Sequence, residues 1–208
     1  AFTTWVLPPS STNPFDAPFL LSPPINAMVV GFIFYRKWKL AFVMFTVLIV
    51  SFLLLPPSQP LGNYYYVAIA VLWDKVIALL LILPTEWLGQ KLSNLTNPRR
   101  LTTVVPVFFF LLAFIGNQAD NMWGSDVFAF PFIYENIYGP VLQATVMQPL
   151  GIPTYVDAVR FLFTLSPYVY PAIRFVQAIL ATIIAVPLIR TLKNTRWILK
   201  ETSIIEQA

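Results

Sequence analysis

Ten of the thirteen cationic residues fall into three short clusters, and the stretches between them carry almost no charge. The clusters are Arg36, Lys37 and Lys39; Lys91, Arg99 and Arg100; and Arg190, Lys193, Arg196 and Lys200. A long uncharged run must satisfy its own backbone polar groups if it lies in hydrocarbon, and a helix does this within one segment. The spacing of the clusters allows an even number of crossings between them, and Lys/Arg-rich loops stay on the cytoplasmic face. The pattern predicts an all-α, polytopic transmembrane helix bundle in the cell membrane. Loops 36–39 and 89–100 and the C-terminal tail then face the cytoplasm.

Composition agrees. The chain is 58% hydrophobic and 11% charged, against roughly a quarter charged in ordinary soluble domains. Its net charge of +4 lines one membrane face, so it suits anionic lipid headgroups or a cytoplasmic partner rather than nucleic acid. The absence of cysteine excludes disulfides, thiol catalysis and thiolate metal sites, and the absence of histidine removes the commonest metal ligand and proton shuttle. No phosphate-binding glycine loop occurs. The sequence therefore points away from an enzyme and calls for no cofactor. A carboxylate-only metal site from Asp120, Asp126 and Glu135 is conceivable, and such a site would suit Mg, Ca or Mn.

Residues 1–18 are rich in Pro, Ser and Thr and read as an extended entry segment. The chain begins at Ala1 without a methionine, so the reading expects processing or a preceding apolar helix. The bundle is expected over 19–190, followed by a basic and then polar tail over 191–208. Its first spans are predicted at 19–35, 38–55, 64–88 and about 101–116, and its last at 168–189. The polar stretch 116–126 should emerge on the outer side. Residues 127–166 then make a crossing pair, about 127–147 and 150–166, or fold back without spanning. The bundle is expected to hold about six spans, with five as the fallback. Asn94-Leu-Thr96 matches a glycosylation sequon but falls in an inner loop, where it would not be used.

The other three cations, Lys75, Arg160 and Arg174, sit in or beside apolar segments, where a charge needs a reason. Asp74 and Lys75 are adjacent, about 100° apart around a helix, so they are not expected to pair simply with each other, and at least one should meet a partner on another helix. They serve either as a substrate or ion contact or as a structural ion pair. Asn117, Asp120, Asn121 and Trp123 make the densest polar cluster, flanked by Gly116 and Gly124, which permit close approach. That cluster reads as a small-ligand site or helix seam, or else as a solvated loop. Arg174 shares a helix face with Tyr170 and Gln177. Arg160 and Arg174 can clamp a carboxylate, either a ligand's or an internal one from Asp120, Asp126 or Glu135. Ala178, Ala181, Thr182 and Ala185 form small-residue rows suited to close helix packing.

The region from Pro18 to Trp87, with a Gly-bearing turn into a basic loop and a helix containing Asp74-Lys75 before Leu79, Leu80 and Leu81, resembles the substrate-binding S components of energy-coupling factor vitamin transporters. The segment FIGNQADNMWGSDVFAFP (114–131) is similar to a Gly- and Asn-bearing segment in the later half of some of those proteins. The resemblance implies a six-helix bundle that binds a small molecule from outside. It implies partners too: a coupling membrane subunit and two ATPases. Where that family's first helix carries an Ala-xxx-Ala coupling motif, this sequence has AFTTW. Two other readings stand beside it. The chain can be a non-catalytic accessory subunit of a multi-subunit membrane enzyme, such as archaeal ammonia monooxygenase. It can also be a channel or transporter acting alone, with Asp74, Lys75 and Arg174 as pathway charges.

Overall fold

A computed structural model describes residues 20–60, 64–93 and 98–194. The entry segment 1–18, the sequon and most of the tail over 191–208 lie outside them. Every extended element among the described residues is helical, and none is a strand. Five long helices build the molecule: α1 (Ser22–Phe34), α2 (Trp38–Leu54), α3 (Val67–Ser93), α4 (Pro98–Ala129) and α5 (Tyr155–Asn194). Three of them contain stretches long and apolar enough to cross a membrane, at Val67–Leu92, Thr103–Ala129 and Tyr155–Leu188. Helices α1 and α2 are shorter and also apolar.

The core is aliphatic and aromatic, with Phe45, Phe52, Ile82, Leu112 and Ile115 almost fully buried. Helix α4 is the hub and packs against α1, α2, α3 and α5. One glycine sets its approach to α1. A Cβ placed on Gly116 would collide with the Asn26 side chain and lie 2.6 Å from Val30 Cγ2. Gly124, two turns on, faces open space.

The two ends of the bundle differ in chemistry. At one end α1 turns into α2 through a three-residue link, in which Arg36 takes a left-handed conformation (φ 62°). Arg36 Nη2 donates to the Gly89 carbonyl at 3.2 Å, so the first basic cluster touches the last turns of α3, near Lys91. Lys91 Nζ sits 3.5 Å above the Trp87 ring, a cation–π contact suited to a membrane interface. At the other end Arg160 gathers the α2–α3 loop. Its guanidinium donates to the carbonyls of Pro56 (2.9 Å), Gln59 (3.3 Å) and Pro57 (3.4 Å), and to Asp157 Oδ1 at 3.0 Å. Thr154 caps the start of α5: its Oγ1 accepts from the Asp157 backbone N–H and donates to Asp157 Oδ2.

Two expectations from the sequence change. The polar stretch 116–126 does not emerge from the bundle, because α4 continues through it to Ala129. Nor do 150–166 and 168–189 form separate spans, because α5 is one helix of 40 residues that carries Pro167 and Pro171 internally. Prolines interrupt single hydrogen bonds of a membrane helix without ending it. Residues 131–150 form a string of short helical turns that packs against α4 and α5 and ends at Gly151 in a left-handed conformation (φ 64°).

Candidate functional site

The polar residues of α4 point in three directions, and each direction finds a different neighbour. Toward α1, Asn26 Nδ2 donates to Asn117 Oδ1 at 3.0 Å. Toward α2, Ser51 Oγ lies 2.6 Å from Asp126 Oδ2. Toward α5, Asp120 Oδ2 accepts from Arg174 Nη1 at 3.3 Å, and the same nitrogen donates to Gln177 Oε1 at 2.9 Å. These are interhelical bonds among membrane-type helices, where small and polar side chains take over the work that hydrophobicity does in water.

The α4–α5 seam opens into a cavity of about 540 Å³, bounded by α4, α5 and the first turn of α1 at Ser22. Asp120, Asn121 and Arg174 line one part of its wall, with Ser125, Ser166 and Tyr170. Phe128, Leu162, Phe163 and Val169 line the rest. Phe163 belongs to a run of edge-to-face rings from Phe52 (5.4 Å) to Phe128 (5.9 Å), and Phe128 continues it to Tyr138 (5.5 Å). That run braces the apolar wall. Two donors here have no hydrogen-bond partner among the described residues: Asn121 Nδ2 and Arg174 Nε. A buried donor left unbonded costs free energy, on the order of 1–3 kcal/mol.

The structure brings together Asp120, Asn121 and Arg174 around this cavity, with Gln177 exposed and bonded to Arg174. Asn117 is turned to α1, and Trp123 packs against the core rather than lining the cavity. Glu135, expected as a buried charge, is exposed and borders a separate hollow of about 610 Å³ at the Arg160 end. Arg160 is buried as expected, but its partners are Asp157 and three carbonyls rather than Asp120, Asp126 or Glu135. Those three carboxylates do not converge, and no set of three metal-ligating side chains gathers among the described residues.

Asp74 and Lys75 correct another expectation. They meet each other, with Nζ 2.9 Å from Oδ1 and side chains 1% and 3% exposed for Lys75 and Asp74. The flexible four-carbon lysine stem bridges the 100° between adjacent positions, which the backbone angle alone disfavours. Both Asp74 oxygens are buried, and Lys75 is the cation within ion-pair distance of them. Of the two ion pairs Asp74–Lys75 and Asp120–Arg174, only the second lines the cavity.

Reading the sequence missed three polar groups: Asn26, Ser51 and Gln118. Asn26 and Ser51 are isolated polar residues inside apolar runs, which was the available signal. Gln118 is fully buried and neither amide atom has a partner among the described residues. No family model, curated protein or solved structure matches this chain.

Proposed function

We propose that this chain is a membrane-embedded small-molecule-binding component of an uptake system, the kind its sequence resembles, with separate subunits supplying coupling and ATP hydrolysis. One observation carries the reading: a cavity between α4 and α5 whose polar wall holds Asp120, Asn121 and Arg174, with two donors unpartnered. Ligand sites are typically concave, mostly apolar and equipped with a few convergent polar groups, within about 300–1,000 Å³. This cavity has that character.

The topology that goes with it has five crossings. Helices α1 to α5 alternate in direction, the basic links at 36–39 and 89–100 share the cytoplasmic end, and α5 runs back to the third basic cluster. Residues 131–150 then stay on the outer side as a cap. Five crossings obey the positive-inside parity, and they need no break within α5.

The scaffold reading draws on a different observation. Both ion pairs close internally, and only 6% of the most apolar stretch of α5 is buried. Purification from the native membrane in mild detergent separates the two. A binding component yields a co-purifying small molecule that is lost in Asn121→Ala and Arg174→Ala while the partner subunits stay bound. If those variants leave bound small molecules unchanged and lose partner subunits instead, the chain is a scaffold.

A further inference from the structure

The cavity's mouth tells where its ligand comes from. Helix α4 packs against both α1 and α5, and the cavity occupies the gap that α1 and α5 leave beside it. Along that gap Leu165, Val169 and Tyr170 line the cavity and are also 44%, 50% and 45% exposed on the apolar outer surface. A surface of that composition is one that lipid covers, so the entrance opens sideways into the bilayer.

The polar end of the wall tells what the ligand carries. The charged side chains of that wall, Asp120 and Arg174, sum to zero, and Arg174 Nη1 is already engaged by Asp120 and Gln177. The fully buried polar atoms of these lining residues that lack a partner among the described residues, Asn121 Nδ2 and Arg174 Nε, are both donors, and Asn121 is 7% exposed. An anionic head would bring a net charge into a low-dielectric site, and a cationic head would face Arg174 and have to compete with it for Asp120. A neutral acceptor satisfies the donors and leaves the charge sum unchanged.

We infer that the cavity between α4 and α5 admits, laterally from the membrane, a small neutral amphiphile with an apolar body and a hydrogen-bond-accepting oxygen directed at Asn121 and Arg174. This rests on the proposed binding role and gives its ligand class. The shared chemistry also occurs in a lipid ester carbonyl, but a cavity of drug-sized volume selects one compact body over two acyl chains.

Benzophenone is a suitable probe, because it is a neutral, apolar ketone that forms covalent bonds on irradiation. The full chain in phosphatidylcholine nanodiscs is irradiated with benzophenone or with its para-carboxy or para-aminomethyl derivative, and adducts are located by peptide mass spectrometry. The expected result is saturable labelling of 120–128 and 162–174 by benzophenone, at least about tenfold stronger than by either charged derivative. Asn121→Ala should weaken it by about three- to tenfold, the span of one lost hydrogen bond. Leu165→Trp, on the exposed rim, should block it while leaving the fold intact. Saturable cavity labelling that favours a charged derivative would overturn the neutral-ligand class and leave the binding role standing. Labelling that never saturates and spreads over Ile183, Ile184 and other lipid-facing positions would overturn both. Co-purified diacyl phospholipid that benzophenone cannot displace would overturn the compact-ligand assignment.

Discussion

Gly116→Ala is the substitution for which the geometry makes the firmest quantitative demand. On an open helix surface the change would stabilise, since alanine exceeds glycine in helix propensity by about 1 kcal/mol. At Gly116 the new methyl would overlap the Asn26 side chain and lie 2.6 Å from Val30 Cγ2. Val30 is β-branched and stiff at χ1 in a helix, so it cannot swing away, and α1 must shift instead. Overpacking of this kind costs about 1–3 kcal/mol, and a contact this short belongs at the upper end. Separating the helices also loses the Asn26–Asn117 bond, worth about 0.6 kcal/mol between membrane helices. The sum is a net loss of about 2–3 kcal/mol, against a gain of up to about 1 kcal/mol for Gly124→Ala, which meets nothing within 4 Å. SDS-driven unfolding of the reconstituted protein, followed by tryptophan fluorescence, reads both. Val30→Ala should destabilise the parent and partly rescue Gly116→Ala, with a coupling of at least about 1 kcal/mol. Equal stability of the two glycine variants, or no coupling to Val30, would refute the close α1–α4 approach.

Other predictions follow from the buried charges and from the topology. Asp74→Asn should destabilise by about 3 kcal/mol by leaving Lys75 uncompensated, whereas Asp74→Asn with Lys75→Met should be nearly neutral in the same unfolding assay. Arg160→Met removes the tie between α5 and the 56–59 carbonyls and should raise protease cleavage in that loop. Arg160→Lys should rescue little of this, because one ammonium cannot span the three carbonyls and Asp157. The chain has no cysteine, so single introduced cysteines report topology cleanly. Gln143→Cys and Gln59→Cys should react with an impermeant maleimide from outside, and Lys37→Cys only after the membrane is opened. Labelling of Gln143→Cys from the cytoplasmic face would contradict the five-crossing arrangement.

Charge spacing carried most of the helix boundaries. The expected spans 19–35, 38–55 and 64–88 lie within a few residues of α1, α2 and most of α3. It failed where a polar residue is satisfied by a neighbour that local sequence cannot show. Asn117, Asp120 and Asp126 look like a chain leaving the membrane, yet each is answered by Asn26, Arg174 or Ser51 on another helix. The break expected between 166 and 168 fails because α5 continues through Pro167, whose missing N–H costs one hydrogen bond without ending the helix. The cavity was partly legible. Asp120, Asn121 and Arg174 were picked out as sparse polar residues in apolar surroundings, while its apolar wall of Phe128, Leu162 and Phe163 carries no mark distinguishing it from core or lipid-facing sequence.

A cryo-EM map of the chain purified in mild detergent from its own membrane tests the binding role most directly. The account predicts compact non-protein density between α4 and α5, with a polar end within hydrogen-bond distance of Asn121. A collapsed gap, or a side chain of another subunit filling that volume, would contradict it and make this chain a structural partner.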